Sequence, residues 1–376
     1  MENFFIFNYV AFILAAWTKI PVKIYMIWII AVFSIVAFLY DPLLQARICG
    51  GEGVDLCRHF DSLDLIRLGV DKGIYMDAPL SVLYFRIIAC IFEENNFLPL
   101  ISVLIYYGGV FFTFNKFFKV LKLNGSIQRF VICMFLICGV FFGIMNNIRY
   151  PLAINMFFGG LYFDTVRRYR VSVFLYGLSA LMHPGIIMLI IVRCISFIKL
   201  KYNIILFVIL SFTLGYLGSF FSMLISLLSP LPELQVLLSA ISMKFINYSS
   251  NIVYDVPFAF RLLTIYALCL LIFGYILNKH YGKYHDDFRY IYRMSMLVIL
   301  LSIWGILTNY MDGNFSSRIM GISPLLISLL VADTLANFSS GNKNYVCVKL
   351  VVFVLSIPYA LVYLLAIYPI WFYAGL

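Results

Sequence analysis

Long apolar runs separated by short polar segments are the main pattern along this chain. A helix that crosses a bilayer needs about 20 mostly apolar residues, and twelve runs approach that length. We therefore predict an all-α, polytopic membrane protein with about twelve transmembrane helices in a single domain over 1–376. The predicted spans are 3–18, 24–40, 97–115, 129–145, 150–166, 170–182, 184–198, 203–228, 257–277, 294–309, 318–338 and 346–369.

Two apolar segments do not fit a simple crossing. Segment 79–92 is short, contains Arg86 and ends in acidic and amide residues, so we predict a re-entrant or interfacial helix. Segment 170–198 is long enough for one helix, but Pro184 favours a break. Two short helices that meet at His183–Pro184 would reach only about 20 Å each, which would place the turn in a recess below the outer surface.

The distribution of basic residues gives the orientation. With this layout, 17 of the 27 Lys and Arg residues fall in loops assigned to the cytoplasm, as the positive-inside rule expects. A full crossing by 79–92, or one long helix over 170–198, would reverse this bias downstream. The polar segments 41–78 and 229–256 are then outer loops. Glu2 replaces the basic start of a signal peptide, so we expect the first helix to be retained.

The composition excludes several classes of protein. The chain is 64% hydrophobic and 12% charged, against about 45–50% and 25% in soluble domains, so a soluble enzyme is excluded. The net charge of +10 does not indicate nucleic-acid binding, because the chain is so apolar. Walker, dinucleotide-binding, HExxH and CxxC motifs are absent, so no metal site or cofactor is predicted. The sequence does not decide whether Cys49 and Cys57 form a disulfide.

Arg149 and His183 are the first candidates for chemistry, because polar groups at membrane depth are costly and often functional. Arg149 begins a span, where it is either an arginine that extends to the membrane surface or a pocket residue that binds an anionic group through its planar fork. His183 is either satisfied by a backbone carbonyl or able to accept a proton near neutral pH. Our topology places both residues at one outer level.

The segment 54–72 alternates acidic and basic residues, and a helix would place Asp55 and His59 on one face. It is either a surface helix with weak ion pairs or a lid over the recess. Arg261 and Arg318 begin spans on the outer side, where anchoring is the simpler interpretation. Arg58, Arg149, Arg261 and Arg318 at one membrane level would also form a cradle for a diphosphate.

Three motifs together resemble the EpsG family of exopolysaccharide proteins and the related Wzy-type polymerases. The motifs are a G-x-D loop with basic residues after it, N-x-I-R-x-x-L-A at the start of a span, and L-x-H-P about thirty residues later. The glutamine that usually follows the arginine is replaced by Tyr150-Pro151. The matching residues are Gly53, Asp55, Arg58, His59, Asn147, Ile148, Arg149, Leu152, Ala153, Leu181, His183 and Pro184, with Gly160 at a spacing described for Wzy proteins.

The resemblance implies a polymerase in the bacterial inner membrane, with its active face in the periplasm. It would transfer a glycan from an undecaprenyl-diphosphate carrier to another lipid-linked repeat unit, like other membrane-embedded lipid-dependent glycosyltransferases. A chain-length regulator and a flippase are further expected partners. His183 or Asp55 would act as the base, and the substrate-binding residues would be Arg149, Arg58, Arg318, Arg261, His59 and Asn147. The arginines would balance the diphosphate charge, so no cation is required.

Two other functions fit the same features. Inward-facing charges and re-entrant helices also suit a flippase for lipid-linked sugars or a polysaccharide exporter, although the internal repeats common in transporters are not visible. An intramembrane acyltransferase would use His183 together with an asparagine. The sequence does not decide the sugars, the linkage or the stereochemical outcome.

Overall fold

The computed structural model describes residues 2–40, 55–70, 75, 77–139, 141–197, 205, 239, 258–281, 288–307, 320–338 and 343–362. Regular secondary structure in these residues is entirely helical, which confirms the all-α prediction for this part of the chain. The helices are α1 (Glu2–Ala15), α2 (Val22–Leu39), α3 (Asp55–Arg67), α4 (Pro79–Ile91), α5 (Phe97–Val120), α6 (Gly125–Cys138), α7 (Phe141–Asn146), α8 (Arg149–Thr165), α9 (Tyr169–Met182), α10 (Ile187–Ser196), α11 (Phe258–Tyr281), α12 (Arg289–Leu307), α13 (Ser323–Ala336) and α14 (Lys343–Val362).

Helices occur at eleven of the twelve predicted spans, and 203–228 lies outside the described residues except for position 205. By length and hydropathy, α2 and α5 are candidate membrane spans, and several shorter helices are also apolar. The number of crossings therefore stays a prediction. The outer loop predicted at 41–78 contains α3, whereas 229–256 is outside the described residues apart from position 239.

The predicted span 129–145 is not one continuous helix. Its apolar run is divided between α6 and α7, with Gly139 extended between them at φ −91° and ψ 140°. A Cβ atom at this position would lie 2.9 Å from the carbonyl oxygen of Phe135. The glycine therefore allows its backbone to lie close to the carbonyl group of Phe135. Glycine also has a low helix propensity, which disfavours a helix at this point.

Large apolar side chains cover the outside of the bundle as well as its core. The exposed fraction is 65% for Ile27, 62% for Phe112 and 64% for Phe174, an arrangement that is unfavourable in water and favourable in lipid. In the core, the ring of Phe33 lies 4.4 Å from that of Phe141 and 4.9 Å from that of Tyr107. Aromatic packing thus joins α2, α5 and α7.

Helices α8 and α9 form an antiparallel pair because small residues allow close contact. Ser172 donates a hydrogen bond of 3.0 Å to the carbonyl oxygen of Gly160. A Cβ atom on Gly160 would lie only 2.5 Å from the ring of Tyr176, so the glycine makes room for this tyrosine. The pairing brings the end of α9 to the beginning of α8.

The chain reverses at His183–Pro184, as the proline predicted. One oxygen of Asp164 accepts hydrogen bonds from Tyr176 at 2.5 Å and from Arg193 at 2.8 Å. Tyr176 precedes the break and Arg193 follows it, so both flanking helices reach the same depth. A single straight helix would carry Arg193 away from that carboxylate at about 1.5 Å per residue. The prediction of two short helices is confirmed.

The Asp164–Arg193 ion pair is almost fully buried, with side-chain exposure of 4% and 1%. Arg193 also donates to Ser196 at 2.8 Å. Its guanidinium lies between two aromatic rings, 4.0 Å from Tyr290 and 3.7 Å from Phe197. The pair therefore ties α8, α9, α10 and α12 together.

Replacing Arg193 by Met should lower the free energy of unfolding by about 3–5 kcal/mol, because Asp164 would stay buried without its cation. The double variant Arg193→Met with Asp164→Asn should recover much of this loss, since no buried charge remains. Thermal unfolding in detergent measures both, with the exposed Arg170→Met as the control. Equal stability of the single and double variants would contradict the argument.

Candidate functional site

Arg149 is the first residue of α8, and its guanidinium is stacked on an aromatic ring. The central carbon of the guanidinium lies 3.8 Å from the ring centre of Tyr75. Stacking fixes the plane of the guanidinium, whose fork suits two phosphate oxygens at once. The positive end of the α8 dipole lies at the same place. Both features favour an anionic ligand here.

Tyr75 is a site residue that the sequence did not reveal. Its backbone has φ of +48°, in the left-handed region that aromatic residues seldom adopt. Its hydroxyl forms a 2.5 Å hydrogen bond with Nδ1 of His59, and its ring packs on Phe85 of α4. The only signal in the sequence is an aromatic residue within a polar segment. Tyr75 therefore links Arg149 to α3.

Helix α3 packs against the site through its apolar face. His59 is 4% exposed, and its ring lies 5.2 Å from that of Phe85. At the other end of α3, Arg67 donates to Asn95 at 2.5 Å and to the carbonyl oxygen of Phe92 at 2.9 Å. The helix is thus fixed at both ends, and His59 faces inward rather than toward solvent.

The pKa of His59 lies well below its ordinary value. Burial in α3, which lies outside the membrane-spanning segments, lowers this pKa most, and the positive charges of Arg149 and Arg58 lower it further. The ring is therefore neutral at pH 7. A neutral imidazole beside a guanidinium can bind a polar substrate without adding a second buried charge.

Asp55 and Arg58 form an ion pair with each other within the first turn of α3. The Arg58 side chain is 72% exposed and that of Asp55 is 33% exposed, so the pair lies on the solvent side. Arg318 is outside the described residues, and Arg261 lies in the first turn of α11 without a described side chain. The predicted cradle of four arginines therefore stays a prediction, with Arg149 at its centre.

His183 lies at the same end of the bundle as Arg149, as predicted. Its ring packs edge-on against Tyr150, with 5.2 Å between the ring centres. Nδ1 of His183 accepts a 3.0 Å hydrogen bond from the backbone N–H of Gly185, so the neutral ring carries its proton on Nε2. This arrangement favours a hydrogen-bond donor over a base, and the base assignment stays a prediction.

Helix α4 connects the two histidine regions. The helix predicted at 79–92 is present, and Ser81 at its beginning donates a 2.6 Å hydrogen bond to the carbonyl oxygen of Met182, next to His183. Tyr84 bonds to Ser102 of α5 at 2.8 Å, so α4 packs back along the first half of α5. Its re-entrant character in a bilayer stays a prediction.

A cavity of about 240 Å³ adjoins this site. Asn147 and Tyr150, which flank Arg149 in the sequence, both line it. Within the described ranges, no group of three or more His, Cys, Asp or Glu side chains is arranged to hold a metal ion. The site therefore combines a stacked guanidinium, two histidines and a cavity.

Acidification should destabilise the protein through His59. Because its pKa in the folded protein is below the ordinary histidine value of 6.5, the unfolded chain takes up a proton as the pH falls through 6.5 while the folded protein does not. Stability is then lost below pH 6.5 by up to about 1.4 kcal/mol per pH unit.

Thermal unfolding at pH 7.5, 6.5 and 5.5 measures this loss. His59→Gln, which keeps a hydrogen-bonding group but does not titrate, should be less sensitive to acid than wild type. The exposed His280→Gln serves as the control and should respond like wild type. An identical response of His59→Gln and wild type would contradict the assignment.

Comparison with known proteins gives a family match but no individual relative. No curated protein and no solved structure matches it. The sequence model of the EpsG family matches residues 64–374, which include Arg149, His183 and most of the described helices. With its apolar helices, this match identifies a membrane protein. The chain belongs to the EpsG family.

Proposed function

We propose that the protein is a polysaccharide polymerase that uses a lipid-diphosphate-linked glycan as donor. Membership of the EpsG family supports a role in exopolysaccharide or O-antigen synthesis. The observation that carries the proposal is Arg149, held against Tyr75 at the beginning of α8 beside a cavity. This geometry suits a phosphate group whose charge increases during a reaction.

The proposed reaction is a glycosyl transfer. An acceptor hydroxyl oxygen attacks the anomeric carbon of the donor glycan and forms the new glycosidic bond. The bond between that carbon and the diphosphate oxygen breaks, and its electron pair leaves with undecaprenyl diphosphate. The acceptor proton passes to a base. The chain therefore grows while one lipid carrier is released.

Arg149 supplies electrostatic stabilisation in this scheme. Negative charge develops on the diphosphate as it departs, and a fixed guanidinium stabilises that charge without needing to reorganise. Since Tyr75 already holds the guanidinium plane, little side-chain freedom is lost on binding. Neutral His59 and the dipole of α8 also stabilise the departing diphosphate.

His183 and Asp55 have different roles in proton transfer: His183 is a hydrogen-bond donor and Asp55 is the base. Nε2–H of His183 donates to a substrate oxygen, because Nδ1 is engaged with Gly185. Asp55 then remains as the candidate base. Its carboxylate pairs with Arg58 on the solvent side of α3, and in this proposal it accepts the proton of the acceptor hydroxyl.

The proposed location is the bacterial inner membrane with the site facing the periplasm. Helix α8 begins at Arg149 and ends beside Arg167 and Arg168, and α9 begins beside Arg170 and ends at His183. The site is therefore at the helix ends opposite to this basic loop, which the positive-inside rule assigns to the cytoplasm. A flippase would supply the substrate, and a chain-length regulator would act on the product.

Arg149→Ala should reduce polymerisation by about 10²–10³-fold, the usual cost of removing one such charge-stabilising donor. Arg149→Lys keeps the charge but not the fork, so its activity should be intermediate. Gel electrophoresis of the polysaccharide made in cells that rely on each variant measures chain length, with immunoblots for membrane levels.

The exposed Arg170→Ala, at the opposite end of the bundle, is the matched control. Long chains made by Arg149→Ala at normal protein levels would contradict the proposal. Translocation of lipid-linked sugar by wild type without any chain growth in vitro would instead favour a flippase.

His183→Gln and His183→Ala should differ in activity. If Nε2–H donates to the substrate, Gln retains a donor and should keep a substantial part of the rate, whereas Ala should lose it. The dependence of the in vitro rate on pH is the second measurement, and it should be alike in Gln and wild type. Equally low residual rates of both variants, with a titration step of the wild type missing from their rate profiles, would restore His183 as the base.

A further inference from the structure

The cavity beside Arg149 has a lining that the diphosphate chemistry does not explain. It lies between helices from both halves of the described chain, and its volume is about 240 Å³. Its described lining contains no charged residue. The polar or aromatic members are Tyr106, Asn147, Tyr150, Thr264, Ser323 and Tyr359.

Two tyrosines of this lining carry hydroxyls without a hydrogen-bond partner among the described residues. Tyr106 is 5% exposed and Tyr359 is 4% exposed, and neither takes part in a hydrogen bond there. Other buried tyrosines are satisfied: Tyr9 donates to Leu136 and Tyr25 to Phe12. Buried hydroxyls normally have partners, because an unsatisfied one is costly. The oxygens of Tyr106 and Tyr359 are not among the fully enclosed polar atoms without a partner, so both hydroxyls are open to the cavity that they line and available to a ligand with hydrogen-bonding groups.

The chemistry of the lining distinguishes between the parts of the substrate. A diphosphate would need cations, which the described lining lacks. An isoprenoid tail would match the apolar surface but would leave both hydroxyls unsatisfied. A sugar ring has C–H faces that pack on aromatic rings and hydroxyls that bond to phenol oxygens. Its dozen heavy atoms also match a volume of this size.

The cavity is placed to bring such a ring to the reacting groups. Tyr150 lines it and also packs against His183, with 5.2 Å between the ring centres. Asn147, exposed at the turn before α8, lines the same wall. A sugar in the cavity would therefore contact Tyr150, which packs on His183, and would lie beside the turn from which α8 begins at Arg149.

We propose that this cavity binds the terminal, uncharged sugar ring of the acceptor glycan, through the hydroxyls of Tyr106 and Tyr359. The proposal rests on the polymerase function and adds a subsite for the acceptor. Donor and acceptor then bind on two sides of the start of α8: the diphosphate at the Arg149–Tyr75 stack and the acceptor sugar in the cavity.

Two probes separate these sites. The first is the repeat-unit oligosaccharide released from its lipid by mild acid, which carries neither lipid nor phosphate. The second is undecaprenyl diphosphate without sugar. Calorimetry with the full-length protein in nanodiscs measures the affinity for each, in wild type, Tyr106→Phe, Tyr359→Phe and Arg149→Ala. Tyr169→Phe, an exposed position at the basic end of α9, is the matched control.

Each cavity variant should weaken oligosaccharide binding by about fivefold, the effect of one neutral hydrogen bond, and should leave undecaprenyl diphosphate binding unchanged. Arg149→Ala should do the reverse. Melting temperatures of the ligand-free cavity variants should stay close to that of wild type, because each removes a hydroxyl that makes no hydrogen bond to the described residues. This measurement also shows that the variants are folded.

Three results would change the conclusion in different ways. Unchanged oligosaccharide affinity in both tyrosine variants would overturn the acceptor subsite. Weaker binding of undecaprenyl diphosphate to those variants would overturn it in favour of the lipid tail. If Arg149→Ala binds undecaprenyl diphosphate as well as wild type does, the diphosphate site fails, and the tyrosine variants still decide the role of the cavity.

Discussion

The shared carboxylate of Asp164 is the contact on which the arrangement of the site depends. It receives hydrogen bonds from Tyr176 before the chain reversal and from Arg193 after it. A buried carboxylate without a cation is strongly unfavourable, so the two helices hold one depth relative to α8. That constraint keeps His183 at the level of Arg149. The ion pair is buried in the last turns of α8 and α10, yet it fixes the relative depth of the residues at the other end of these helices.

A second set of contacts assembles the site from the outer side. Tyr75 lies against Arg149 with its ring and bonds to His59 with its hydroxyl, so one side chain joins α3 to the beginning of α8. Its positive φ shows that the local backbone accepts strain to make these contacts. The orientation of the guanidinium plane therefore depends on the position of α3.

The sequence predicted the features that follow from local chemistry. Apolar runs located the helices, Pro184 located the reversal, and the alternation of helix direction placed Arg149 and His183 at one end. Features that depend on partners distant in the chain were not predictable. Nothing near Tyr75 indicates Arg149, and nothing near Arg193 indicates Asp164. The proton position on His183 depends on the backbone of Gly185, a detail of turn geometry that no sequence pattern specifies.

The polar groups on the two sides of the beginning of α8 differ in charge. For a polymerase, this difference would determine which part of the substrate binds on each side. On the α3 side there is a stacked cation and a neutral imidazole; in the cavity there are aromatic rings and hydroxyls without charge. If the protein is the proposed polymerase, a charged lipid head and a neutral sugar would meet different environments, and neither would be stabilised well in the place of the other. Since Tyr150 touches both the cavity and His183, the point of transfer is expected at that residue. The departure from the family motif at Tyr150-Pro151 would then be a local adaptation of the acceptor wall.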